Sequence, residues 1–385
     1  MELPIINHPD YVAKINDDNK FPIKKFGALA KHLLEKKVVK KFYIPKECSI
    51  ETMKTSHSLK YINDIKNKTL NIQAQKKIGF PINDSVVRRS FVATGGTVLA
   101  SKLALESKLA CNTAGGSHHA TFDYGAGYCV FNDTAVAANY LKNKGYAKKI
   151  LILDLDVHQG NGNSEIFQND KNVLTFSMHC ASNYPAKKSK SDIDIELRDN
   201  MEDNEYLNVL NKNLKELNYN TYDFVFYVAG VDIHHEDRLG KLKITDEGIN
   251  KRDQIVIENF YSKNIPLCGV LGGGYNKSFD KLIELQDNME DNEYLNVLNK
   301  NLKELNQNTY DFVFYVAGVD IHHEDRLGKL KITDEGINKR DQIVIENFYS
   351  KNIPLCGVLG GGYNKSFDKL IELHSMLHKN CAEYF

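Results

Sequence analysis

Four near-continuous apolar runs stand out along the chain: KKILILDLD (148–156), NVLTFSMH (172–179), DFVFYVAGVD (223–232) and IPLCGVLGGGY (265–275). None alternates like a strand with one wet face, and each ends in polar or glycine residues. Such runs predict strands buried on both faces, in a parallel sheet covered by helices. Between them the period shifts to that of helices, in VATGGTVLASKLALESKLA (92–110), TAVAANYLKNKG (134–145) and ITDEGINKRDQIVIENFYSK (244–263). Thr245 followed by Asp246 marks a helix start. The alternation predicts an α/β chain, and no Pro/Ser/Gly-rich linker divides it.

The pattern then repeats. Displacing the chain by 88 residues superimposes 195–285 on 283–373, and only Arg198/Gln286 and Tyr219/Gln307 differ among 91 positions. Structural repeats keep a few key positions, whereas here surface Lys and Asn are kept as well, so this is a copied piece and not a solenoid. Ile-Glu-Leu recurs at 195–197, 283–285 and 371–373, as at a recombination joint. Removing one unit leaves 385 − 88 = 297 residues, the size of one α/β domain. The expected organisation is one domain over 1–285. Residues 286–385 then repeat 198–285 and add a native C-terminal helix with an apolar stripe of Phe367, Leu370, Ile371, Leu377 and Cys381.

Composition narrows the partners. Fifty basic and 50 acidic residues cancel, and no long Lys/Arg run is present, so neither nucleic acid nor membrane is an expected partner. The N-terminus lacks the pattern of a signal peptide, and no run approaches the ~20 apolar residues of a membrane span. Seven cysteines without a C-x-x-C pair read as reduced thiols in a cytoplasmic protein, not as a disulfide or Cys–zinc framework.

The chemistry concentrates in four places. In DLDVH, Asp154, Asp156 and His158 stand at i, i+2 and i+4, which in a strand point the same way, at the C-terminal edge where parallel sheets bind ligands. Carboxylates there can also cap a helix or pair with Lys. Three such groups at a buried strand end need compensation, and a cation such as Zn²⁺, Fe²⁺ or Mn²⁺ supplies it. Second, His118 and His119 can converge only from an irregular loop, which Gly115 and Gly116 permit; two neutral-pH proton carriers suit acid–base hydrolysis, although a random His pair is usually a surface feature. Third, Asp232, or its copy Asp320, ends a strand as a further ligand. Fourth, LGGGY lets backbone approach a site, and Tyr275 or Tyr363 can donate a hydrogen bond to an oxyanion. A phosphate loop is the rival reading of the glycines, but G-K-[ST] is absent. The pairs His234–His235 and His322–His323 read as solvated loop before a second metal.

Together with KFPIKK (20–25), HSLKYI (57–62), IGFP (78–81), GGTVLA (95–100), GGSHHATFDYGAGYCVFND (115–133), SMHCASNYP (177–185) and AGVDIHHEDRLG (229–240), these motifs resemble the histone deacetylase family, most closely its class IV and bacterial deacetylase-like branch. The resemblance covers nearly all of 1–285, in the family's order. It implies the arginase/deacetylase fold, a three-layer sandwich around an eight-stranded mainly parallel sheet. It implies zinc held by Asp156, His158 and Asp232 or Asp320, and tandem histidines His118 and His119 backed by Asp154 and Asn161. Tyr275 or Tyr363 would polarise the amide carbonyl. Gly127 and Tyr128 would line an acyl-lysine channel, Tyr128 standing where the family usually has Phe. An inner K⁺ site is implied near Asp154, Asp156, His158, Ser177 and Met178. The implied reaction is zinc-dependent hydrolysis of an N-acyl-lysine in a peptide or protein. Acetylpolyamine or another small acyl amine is the alternative substrate, and a binding module impaired by the duplication is the alternative function.

The His pair and DLDVH occur once, so one chain builds at most one complete site. From Leu197 the first copy is about 25 residues away and the second about 113, which favours the first by roughly 1.3 kcal/mol of loop closure. The second keeps the intact C-terminal helix, which weighs the other way; the first copy is the one expected to complete the site, with the second copy or a mixed arrangement as the alternatives. The unused copy would expose apolar surface and strand edges, a route to domain swapping.

Overall fold

The expected runs form the centre of a parallel sheet because each alternates between two buried layers rather than between core and water. In the computed structural model, seven strands make this sheet: β1 (Ile5–Ile6), β2 (Leu109–Asn112), β3 (Ile150–Asp154), β4 (Val173–Cys180), β5 (Ile193–Leu197), β6 (Phe224–Ala229) and β7 (Leu267–Leu271). Their order is β1-β2-β7-β6-β3-β4-β5, and every pairing is parallel. Leu151, Leu153, Val225 and Tyr227 pack in one layer with Leu210 and Leu214 of the helix Asp203–Glu216 and Val256 and Phe260 of the helix Asp246–Tyr261. Ile150, Ile152, Phe224 and Phe226 face the other layer, with Ala100 and Ala104 of the helix Asp84–Ser107 and Ala135, Ala138 and Leu141 of the helix Asp133–Asn143. The result is a three-layer α/β sandwich.

The structure describes residues 3–16, 19–276, 290–305, 313–326, 328, 330–359, 362–364 and 366–382. The chain divides into two compact units, Met1–Ile283 and Glu284–Phe385. The sheet of the first has seven strands among the described residues, not the eight expected. Beyond β1 the edge carries a single bridge, Ile6 to Tyr43, and Pro45 two residues on has no N–H with which to extend it. The helix expected over 92–110 begins earlier, at Asp84, where Asn83 accepts from the Val86 N–H (2.9 Å). It stops at Ser107 because Lys108 turns left-handed (φ 69°), and Leu109–Asn112 becomes β2. Thr245 caps its helix as expected, accepting from the Gly248 N–H (3.1 Å). No helix among the described residues is long and apolar enough to cross a membrane.

From β3 the chain runs outward through β4 and β5, then returns to place β6 on the other side of β3. The C-terminal ends of β3 and β6 therefore flank the point where the winding reverses, which is where open parallel sheets leave a crevice for ligands.

The second unit contains a parallel pair, β8 (Val313–Ala317) and β9 (Leu355–Leu359), with helices Asp291–Leu305, Asp334–Tyr349 and Phe367–Ala382. Its last helix buries Leu373, Leu377 and Asn380, whereas Phe367 and Ile371 of the expected stripe are exposed. The Asn380 amide donates to Asn338 in the preceding helix, so that contact turns the Leu373–Leu377–Asn380 face inward. The corresponding segment of the first copy, 279–285, lies outside the described residues.

Leu153→Ala, in the fully buried central strand, should cost about 2–5 kcal/mol in urea unfolding. Ile193→Ala on the half-buried edge strand should cost no more than about half of that. Equal losses would contradict the assignment of centre and edge.

Candidate active site

β3 ends at Asp154, and the chain then folds back on its own carboxylates. The Asp156 N–H donates to Asp154 Oδ1 (3.2 Å), and the His158 N–H donates to Asp156 Oδ1 (2.9 Å). The strand alternation expected through DLDVH therefore stops at Asp154. The turn separates the three groups, with Asp154 reaching His118 and Asp156 and His158 reaching the end of β6.

At that end lies Asp232, fully buried, its Oδ1 accepting from the Val157 N–H (3.0 Å). His158 Nδ1 is 3.0 Å from both Asp156 Oδ1 and Asp232 Oδ2. One ligand atom from each residue falls within 4.8 Å of the others, the one such group of His, Cys, Asp or Glu among the described residues. Donors around a tetrahedral zinc, at about 2.0–2.1 Å from the ion, stand roughly 3.3 Å apart. Asp232 Oδ2 is buried without a well-directed hydrogen bond, even with His158 beside it. Two buried carboxylates, one imidazole and an orphaned oxygen are the donor set and charge that a zinc ion fits.

The glycines of LGGGY make this possible. A Cβ on Gly273 would overlap Asp232 Oδ2, and one on Gly272 would stand 2.6 Å from Asp156 Oδ2. The Gly273 N–H donates to Asp156 Oδ2 (2.5 Å), so this backbone serves a carboxylate rather than a phosphate.

The histidine pair sits in a turn entered through Gly115 (φ 90°) and Gly116 (φ 69°). Asp133 holds that turn, accepting from the N–H groups of Gly116 (3.2 Å) and Ser117 (2.8 Å) and from Thr97 Oγ1 (2.6 Å). The two rings lie 4.1 Å apart, His118 Nδ1 is 2.6 Å from Asp154 Oδ2, and His119 Nδ1 is 2.7 Å from Asn161 Oδ1. Burial disfavours charge on both rings, but Asp154 and Asp156 overcome it at His118, whose pKa is pushed up to about 9. His119 has burial and the neighbouring His118 and His158 against it and falls well below the ordinary value. Asp154 and Asp156 thus favour the charged form of His118, whereas the surroundings of His119 favour its neutral form. Burial and the Asp156 charge lift Asp232 to about 6, while His118 and His158 hold Asp156 well below the carboxylate range despite its burial.

Tyr275 is buried edge-on to His158 (6.3 Å between ring centres), and burial pushes its phenol well above the usual range. Its N–H donates to Asp237 Oδ2 (2.5 Å), and its carbonyl accepts from Arg238 Nε (2.5 Å). Lys25, which the sequence reading did not single out, donates to the carbonyl of Gly274 (3.1 Å) between the rings of Phe21, Phe26 and Tyr275. Burial lowers it to about 8, although Asp232 and Asp156 oppose the shift. In the sequence it stands between Lys24 and Phe26 at a helix start, with nothing to set it apart from its exposed neighbour Lys24.

Gly127 (φ 55°) and Tyr128 (φ 64°) are both left-handed, and a Cβ on Gly127 would press within 2.5 Å of the His119 ring. Tyr128 packs against Phe21 (5.2 Å) and Tyr275 (5.8 Å). Tyr184, also missed although SNYP was in view, stands edge-on to His119 (4.8 Å) as a second aromatic wall. Ser177 pairs with Asp154 across β3 and β4; its Oγ accepts from the Gly160 N–H (3.3 Å) and lies 3.0 Å from His179 Nδ1, and Met178 beside it is buried. His234 is not in a solvated loop: it is buried, 3.1 Å from Asp246 at a helix start, while His235 is exposed. Asp320 and Tyr363 belong to the second unit, where Tyr363 is 44% exposed and its N–H donates to Asp325 Oδ2 (2.5 Å).

A three-layer parallel sheet with a buried Asp/His/Asp centre faced by a supported histidine pair defines the class. The chain belongs to the histone deacetylase family, since the family model described as "Histone deacetylase domain" matches residues 20–281 and again 277–375. An uncharacterized protein of Picosynechococcus sp. (strain PCC 7002) is 43% identical over 286 residues, covering 74% of this chain and 95% of that protein. Histone deacetylase 2 of Arabidopsis thaliana is 32% identical over 286 residues, covering 68% of this chain and 71% of that one. The crystal structure of the HDA15 HD domain has the same fold, with a TM-score of 0.62 at 20% identity over 73% of this chain and 85% of that chain.

Gly273→Ala forces Asp232 aside, and should weaken zinc binding by at least about 10-fold in competition with a chromogenic chelator. Unchanged affinity would show that this close approach does not shape the centre.

Proposed function

We propose that the first unit is a zinc-dependent deacylase that hydrolyses the amide of an N-acyl (acetyl) lysine or of a small acyl amine. The observation that carries this reading is the meeting, in one buried site, of Asp156, His158 and Asp232 with the His118–Asp154 and His119–Asn161 pairs and Tyr275. Zinc on the Asp/His/Asp donors supplies Lewis-acid polarisation of the acyl carbonyl and acidifies water. His119, neutral and oriented by Asn161 at Nδ1, accepts the proton of the attacking water at Nε2. His118, kept cationic by Asp154, faces developing negative charge and supplies a proton toward the departing amine. Tyr275, held protonated by burial, donates a hydrogen bond to the carbonyl oxygen as it becomes an oxyanion. Tyr128, Gly127 and Tyr184 flank the histidines as walls for an acyl-lysine stem. An inner K⁺ beside Asp154, Asp156, His158, Ser177 and Met178 belongs to the same proposal.

In this reading Asp232 and Tyr275 of the first copy close the site, and Asp320 and Tyr363 do not. The catalytic domain is then 1–285, with 286–385 as the additional copy. The short connection from β5 to the first copy and the shared sheet of β3 and β6 support this choice.

In the full chain, Asp232→Asn should lower hydrolysis of an acetyl-lysine peptide or acetylpolyamine by at least about 100-fold, and Asp320→Asn should leave it near wild type. The opposite result would hand the site to the second copy. Tyr275→Phe should lose about 10²–10³-fold and His119→Ala about 10²–10⁴-fold with zinc retained. A zinc-loaded wild type inert toward both substrate classes would sink the proposed activity.

A further inference from the structure

We propose that Arg252 is a positioning residue for the metal centre, acting through the carbonyl of Gly230 on the backbone that carries Asp232 and supports Asp156. Arg252 lies on the helix Asp246–Tyr261 and is fully buried. Its Nη1 donates to the Gly230 carbonyl (2.5 Å), and its Nε donates to Asp253 Oδ1 (2.8 Å), which also accepts from the Tyr227 hydroxyl (2.5 Å). Asp253 thus balances the buried guanidinium and aims it, leaving Nη1 directed at one backbone carbonyl.

That carbonyl matters because of what surrounds it. A Cβ on Gly230 would overlap the Asp156 carboxylate, so the Gly230 backbone is the surface on which Asp156 rests. The next N–H, of Val231, donates to the Gly273 carbonyl (3.1 Å), and Gly273 donates in turn to Asp156 Oδ2. One residue further is Asp232. Shifting the Gly230 carbonyl would therefore move two of the three metal-facing groups together.

The tether is also written locally. In the second unit Arg340 Nη1 donates to the Gly318 carbonyl (2.5 Å) and Nε to Asp341 Oδ1 (2.9 Å), with the Tyr315 hydroxyl on the same carboxylate (2.5 Å). That unit contains no DLDVH strand, so the contact forms without Asp156 and His158 and is not a by-product of the metal site.

This inference rests on the zinc centre proposed above. The test uses the full chain carrying Asp320→Asn as parent, with Arg252→Met and Arg252→Lys added. Zinc dissociation constants are read by chelator competition, and thermal unfolding is followed with and without zinc. Arg252→Met should weaken zinc by about 10–100-fold and shrink the zinc-dependent rise in Tm, and Arg252→Lys, whose single ammonium cannot hold Asp253 and the Gly230 carbonyl in the guanidinium's geometry, should fall between. A residue that only fills the core would lower Tm equally with and without zinc. Zinc affinity of Arg252→Lys within twofold of the parent, with an unchanged zinc-dependent rise, overturns the proposal even where Arg252→Met does not fold. A parent that binds no zinc overturns the metal centre itself, and this inference with it.

Discussion

The structure depends on two carboxylates, Asp156 and Asp232, buried together at the ends of neighbouring strands with one imidazole between them. Such an arrangement is unfavourable unless charge is supplied. The surrounding chain answers that demand in several ways. Glycines 230, 272 and 273 give up side chains to let backbone and carboxylate meet, and the N–H groups of Val157, His158 and Gly273 donate to the oxygens. Asp154 favours the charged form of His118 alongside, and Lys25 and Arg252 place basic side chains behind the site. A divalent cation, as proposed above, would complete the balance and join the Asp/His/Asp geometry and the histidine pair in one mechanism.

Parallel topology is what makes the meeting possible. β3 and β6 are adjacent in the sheet but separated in sequence by two other strands, and the reversal of winding between them leaves their ends free for chemistry. The register Asp154 to Val228 then puts Gly230 beside Asp156. The clustered carboxylates and imidazoles stand just past strand ends, in backbone too irregular to belong to the ladder and held by hydrogen bonds of its own.

Much of this was legible in the chain. The apolar runs announced doubly covered strands, and the Gly-Gly before His118 and His119 announced a loop that could bring adjacent rings together. The alternation argument reached the right residues in DLDVH through a geometry that ends at Asp154, because hydrogen bonds to the carboxylates replaced the ladder. The start of the helix at Asp84 was missed although Asn83 is an ordinary cap. Lys25, Tyr184 and Arg252 were not legible, since nothing local distinguishes a buried basic or aromatic side chain from a solvated one. Their roles come from contacts with residues distant in sequence.

The repeat separates what a segment encodes by itself from what it borrows. β8 and β9 pair in the same register as β6 and β7, and the caps and the Arg tether recur. Burial does not: Val316 is 65% exposed and its counterpart Val228 is 0%. A metal centre needs the neighbour strand as well, and the chain contains one. The most direct measurement is therefore zinc content per chain in the full-length protein after exhaustive dialysis, with the ligand shell read by X-ray absorption. The account predicts one zinc bound by nitrogen and oxygen alone. Two zinc ions per chain, or a shell containing sulfur, would contradict it.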